Sequence, residues 1–105
     1  MEIDIEELKK VTLYCPTYKV DDDMNFIAFG DENNFKIAVF TTEEKYEAGY
    51  EYLKLDQQEQ EYSLYTTDME LFIELAINDD GFSGLIINIP EDNMIVDSEK
   101  LASLK

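Results

Sequence analysis

The stretch "FKIAVFTTEEKYEAGY" (35–50) decides the fold. As far as Phe40 it alternates. Phe35, Ile37 and Val39 fall on one side of an extended chain, and Lys36, Ala38 and Phe40 fall on the other. Then the period changes: Tyr46, Gly49, Tyr50 and Leu53 recur at i, i+3, i+4 and i+7, the stripe of a helix. A strand therefore runs into a helix. The same joint returns in "YSLYTTDMELFIEL" (62–75). A short strand over 62–65 leads there into Met69, Phe72, Ile73 and Ala76 at helical spacing, with Leu71 and Leu75 widening the apolar face. Thr41 with Glu44, and Thr67 with Glu70, each fit a capping box. In such a box the threonine hydroxyl accepts from an exposed helix N–H, and the glutamate reaches back to the cap's own N–H.

Outward from these joints, the runs 25–30 and 34–40 are strand-like on either side of the turn cluster "DENN" and predict a β-hairpin. "VTLYC" (11–15) reads as a strand that Pro16 stops. The opening "EIDIEELKK", acids first and lysines last, suits a short N-terminal helix. Downstream, "KLDQQEQEYS" is a polar loop, and "FSGLIINIP" (82–90) is the unbroken apolar run of a central strand. "EDNM" turns the chain, "IV" is a short extended piece, and a last helix starts at Asp97 or Ser98. The order predicts an α+β (mixed α/β) chain: one domain over 1–105, with a mixed sheet of about five strands, a hairpin, and two to three helices packed on it.

Composition agrees. The 105 residues are 45% hydrophobic, enough for a packed core despite a formal charge of −17 from 25 acids and 8 lysines. Histidine, arginine and tryptophan are absent. Histidine-based triads, His/Cys zinc sites and arginine forks for phosphate are thereby excluded. Cys15 is the only cysteine, so no intrachain disulfide forms; before Pro16 and without a cationic neighbour, it reads as a small buried hydrophobe. No apolar run is long enough to span a bilayer, and the acidic N-terminus is unlike a signal peptide, so a cytoplasmic location is expected. A field of this sign repels nucleic acid and anionic membranes and steers a cationic partner toward the chain.

Asp21, Asp23, Asn25 and Glu32 have the spacing of a calcium loop, but Phe26 stands where the sharp turn requires glycine, so an acidic loop entering a strand is expected instead. No pair of carboxylates stands out for acid/base work, and no metal or cofactor is expected. The strongest candidate surface is acidic and aromatic: Tyr46, Tyr50, Tyr52 and Tyr62 interleaved with Glu47, Glu51, Glu59 and Glu61. Tyrosine favours interfaces because it buries area at little entropic cost and keeps a polar tip. The spacing equally allows Tyr46 and Tyr50 to face the core, while Tyr52 lies off that stripe.

Two segments carry a family resemblance. Phe40, Thr41, Thr42, Glu43 and Glu44 follow a strand as Phe-Thr-Ser/Thr-x-Glu, and Gly84 to Asn88 lead toward Pro90, with Ile89 between Asn88 and the proline. In these the chain resembles the SseB-like domain family, named for enhanced serine sensitivity, over residues 11–104. The resemblance implies a small cytoplasmic bacterial α/β domain and no established catalytic residues. The function expected is a non-catalytic interaction domain whose acidic face meets a basic protein partner or another copy of itself. One alternative is an acidic inhibitor of the immunity type that blocks a toxin's cationic nucleic-acid-binding surface. Another is a binder of a small ligand such as an amino acid.

Overall fold

A computed structural model of the chain describes residue 7 and residues 9–31, 33–57, 61–89 and 91–104. Four strands come first: β1 (Leu13–Val20), β2 (Asp23–Phe26), β3 (Ala28–Asp31) and β4 (Asn34–Val39). Helix α1 (Glu43–Tyr52), a 3-10 turn (Leu55–Gln57), β5 (Ser63–Thr67) and α2 (Met69–Asn78) follow, then β6 (Phe82–Ile87), β7 (Met94–Asp97) and α3 (Ser98–Ala102). The fold is mixed α+β. Its strands divide into two sheets, β2-β1-β5 and β3-β4-β6-β7, where one sheet of about five was expected. Among the described strands only β4 and β6 run parallel, and the other pairs are antiparallel. The expected N-terminal helix lies largely outside the described residues.

β1 does not stop at Pro16. It continues to Val20, pairing with β5 through Leu13–Thr17 and with β2 through Thr17–Val20. The reason lies in which edge lacks a partner. The Tyr14 N–H donates to the Phe40 carbonyl at 2.7 Å. Alternate residues of a strand point their N–H groups to the same edge, so the Pro16 nitrogen also faces that side. There it falls between the Phe40 contact and the start of β2, where no ladder bond is needed. At the far end, Asp21 and Asp22 have φ of 51° and 73°, the two left-handed centres of a type I′ hairpin turn. Aspartate tolerates that conformation better than bulkier residues.

The expected hairpin is present, but its first strand is split. Residues 23–26 pair with β1, and residues 28–31 pair with β4. At the break, the Ile27 carbonyl still accepts from the Ala38 N–H at 3.1 Å. β1 meets Phe40, the residue just after β4, at the isolated Tyr14–Phe40 bridge, so the bent segment 23–31 lines the angle between the two sheets.

The alternation read in β4 places its two faces against different layers. Ile37 and Val39 join Leu13, Cys15, Leu85 and Ile87 in a core closed by Met69, Phe72 and Ile73 of α2 and Leu101 of α3. On the opposite face, Phe40 is fully buried beneath α1 and meets the Tyr46 ring edge-on at 5.8 Å. Gly49 makes that approach possible: a Cβ there would stand 2.2 Å from the Phe40 ring.

Candidate functional site

Both capping boxes need correction. The cap of α1 is Thr42, whose hydroxyl accepts from the Lys45 N–H at 3.1 Å; the cap of α2 is Asp68, whose carboxylate accepts from the Glu70 N–H at 3.1 Å. With caps at 42 and 68, the third helical positions are Lys45 and Leu71, so neither Glu44 nor Glu70 closes a box. Thr41 is engaged elsewhere. Its N–H donates to Asn88 Oδ1 at 2.9 Å, and its hydroxyl accepts from Asn88 Nδ2 at 2.9 Å. Thr67 is still a strand residue opposite Leu13, and the carboxylate beside it is the stronger acceptor.

Asn88 is therefore a hub. It is 1% exposed, holds a left-handed φ of 57°, and also donates through Nδ2 to Asp92 Oδ2 at 2.8 Å. Asp92 and Glu91 in turn hold the Lys45 ammonium, at 3.1 and 2.9 Å. The Asn88 amide, and after it Lys45, lowers the Asp92 carboxyl below its usual range; hydrogen bonds to Glu91 and then Asp92 raise Lys45. This corner lies beyond the C-terminal ends of the parallel strands β4 and β6, where open α/β sheets bind ligands. Here its own side chains occupy the corner and tie α1 to the loop after β6. The corner is a clasp. Its members include Thr41 and Asn88, which belong to the two segments that carry the resemblance.

The expected tyrosine surface separates into two parts. Tyr46 and Tyr50 are half-buried, 6.0 Å apart, and Tyr46 rests on Phe40; burial, with Tyr50 beside it, pushes the Tyr46 phenol up. Glu47, Glu51 and Tyr52 are exposed on α1, and Tyr52 is the most open of its tyrosines at 57%. Tyr62 packs instead on Tyr18 of β1 at 5.7 Å, with Glu61 exposed beside it. Glu59 lies outside the described residues. Cys15 is fully buried, and its thiol is pushed up to about 12.

A concave site lies elsewhere, in the angle formed by the bent strand. Met24, Phe26, Phe35 and Ile37 from the strands, with Leu71 and Leu75 of α2, line a predominantly apolar open groove of about 630 Å³. That size is typical of a binding site. Its base is braced: Phe26 meets Phe72 at 5.6 Å and Tyr65 at 5.9 Å, and Phe35 meets Phe82 at 5.9 Å. Met24 remains 42% exposed. Asp31 stands on the rim, and the exposed Asp21, Asp22 and Asp23 form the adjoining turn, with Lys19 opposite Met24. Along one side runs β3, an end strand of its sheet, and Ala28 and Gly30 contribute to the lining.

Two signals in the sequence point to this groove. Leu71 and Leu75 are an i, i+4 apolar pair at the margin of the core, partly buried against it, and Met24 and Phe26 alternate within an acidic stretch. The bend that brings the two pairs together has no glycine or proline to mark it. No protein-family model, no curated protein and no solved structure matches the chain significantly.

Proposed function

We propose that this chain is a non-catalytic, SseB-like interaction domain acting in the cytoplasm, which seats an apolar segment of a basic protein partner in the groove between β2, β3 and α2. The observation that carries the reading is a groove with an apolar wall and Asp31 in its lining, on a chain of formal charge −17. A surface of this sign raises the encounter rate of a cationic partner, and apolar burial then holds it. Glu43, Glu44, Glu47 and Glu51, exposed along α1, add to the steering field. The SseB-like part rests on the meeting of the two motif segments through Thr41 and Asn88. Among the described residues no helix is long and apolar enough to cross a membrane, and no cluster of three metal-ligating side chains is formed.

Fluorescence anisotropy with a labelled peptide of mixed leucine, valine and lysine tests this reading. Binding should weaken as salt is raised and be lost in Leu71→Lys, which places a cation in the groove wall. A peptide held equally by wild type and Leu71→Lys would contradict it.

A further inference from the structure

Resting on the reading of the groove as a partner site, we propose that the partner enters as an added β-strand. An extended segment of alternating apolar and basic residues pairs with the open edge of β3. In the antiparallel β3–β4 ladder, Ala28 stands opposite Ile37 and Gly30 opposite Phe35. The Ala38 N–H donates to the Ile27 carbonyl, so Ile27, Phe29 and Asp31 turn their backbone groups toward β4. Ala28 and Gly30 turn theirs away, along the margin of the groove that both residues line. No described strand covers that edge. The side chains at these two positions are a methyl group and a hydrogen, which leave the backbone open to close approach by another chain.

The chemistry of the occupant follows. A strand laid on this edge sends alternate side chains to opposite faces, one set into the groove wall of Met24, Phe35, Leu71 and Leu75 and the other to solvent. The solvent-facing set passes the Asp31 carboxylate, on a chain of formal charge −17, which suits lysine or arginine. A second copy of this chain is disfavoured as the occupant. Pairing β3 with β3 would bring together two bodies of formal charge −17 each. A partner segment of alternating pattern satisfies both the groove and the rim.

The test uses the whole chain and two synthetic peptides of one composition in valine and lysine. One alternates the two residues; the other sets the valines at helical spacing. The alternating peptide should bind more tightly, slow amide exchange at Ala28 and Gly30, and lose affinity when alternate peptide nitrogens are methylated. Ala28→Pro, which removes an outward N–H at an edge where proline is tolerated, should weaken it about tenfold, the scale of one lost hydrogen bond. Equal affinity for the methylated peptide, or no slowing of exchange at Ala28 and Gly30, would overturn strand addition, and neither result depends on the proline variant folding. Tighter binding of the helical-spaced peptide, lost in Leu71→Lys, would also overturn it and leave the groove reading standing. If wild type holds neither peptide, both proposals fail.

Discussion

Asn88 is the residue on which the loop after β6 depends. It satisfies the Thr41 N–H and hydroxyl and the Asp92 carboxylate while sitting in a left-handed conformation that most side chains resist. Asn88→Ala leaves a half-buried N–H without its acceptor and keeps the backbone cost. It should destabilise the chain by about 3 kcal/mol, read from the urea midpoint at unchanged slope. The Asp92 carboxyl is held below its usual range, so its stabilising contribution is present above the unfolded value and is lost as pH falls through the folded one. The stability gap between wild type and Asp92→Asn should therefore be full near neutrality and close in acid. A gap that widens in acid would refute the clasp. Cys15 should resist alkylation in the native protein at mildly alkaline pH and react on unfolding, since its thiol is buried and titrates at about 12.

At the scale of elements, Gly49 separates local preference from packing. Alanine in the middle of α1 would favour the helix by about 1 kcal/mol on propensity alone. Its Cβ would meet the Phe40 ring at 2.2 and 2.3 Å and the Ile89 carbonyl at 2.9 Å. Gly49→Ala should therefore lower thermal stability, a net cost of overpacking on the order of 1–3 kcal/mol. The same contrast explains what was legible in the sequence. β4, α1 and α2 could be read because each has two faces in distinct environments, and the periods of Phe35–Phe40, Tyr46–Leu53 and Met69–Ala76 record them. The first cap lies one residue on because Thr41 is claimed by Asn88, a residue far along the chain that no local pattern reveals, and the second because Thr67 is still paired in β5. β1 passed Pro16 because of a gap in pairing, which exists only once β2 and β4 are in place. The groove was hidden for the same reason: most of its wall comes from residues on four strands, closed by Leu71 and Leu75 of α2.

For the whole molecule, charge is the dominant variable. A formal −17 on 105 residues makes the folded state repel itself, and salt screens that repulsion over about 10 Å at 0.1 M. The midpoint of thermal unfolding should rise with added sodium chloride, while association with a basic peptide should slow over the same range. Reversing Glu47 and Glu51 to lysine should reduce the association rate and leave the dissociation rate nearly unchanged, because both residues are exposed on α1, away from the groove lining. A salt-independent association rate would remove electrostatic steering from the mechanism.

The central claim is that the apolar groove, rather than the acidic tyrosine face of α1, receives the partner. The most direct measurement is an amide chemical-shift map of the isotopically labelled chain titrated with the alternating valine–lysine peptide. Shifts gathered at Tyr18, Met24–Asp31, Phe35, Leu71 and Leu75 are the result expected. Shifts confined to Glu43–Tyr52, with those groove positions unmoved, would contradict it.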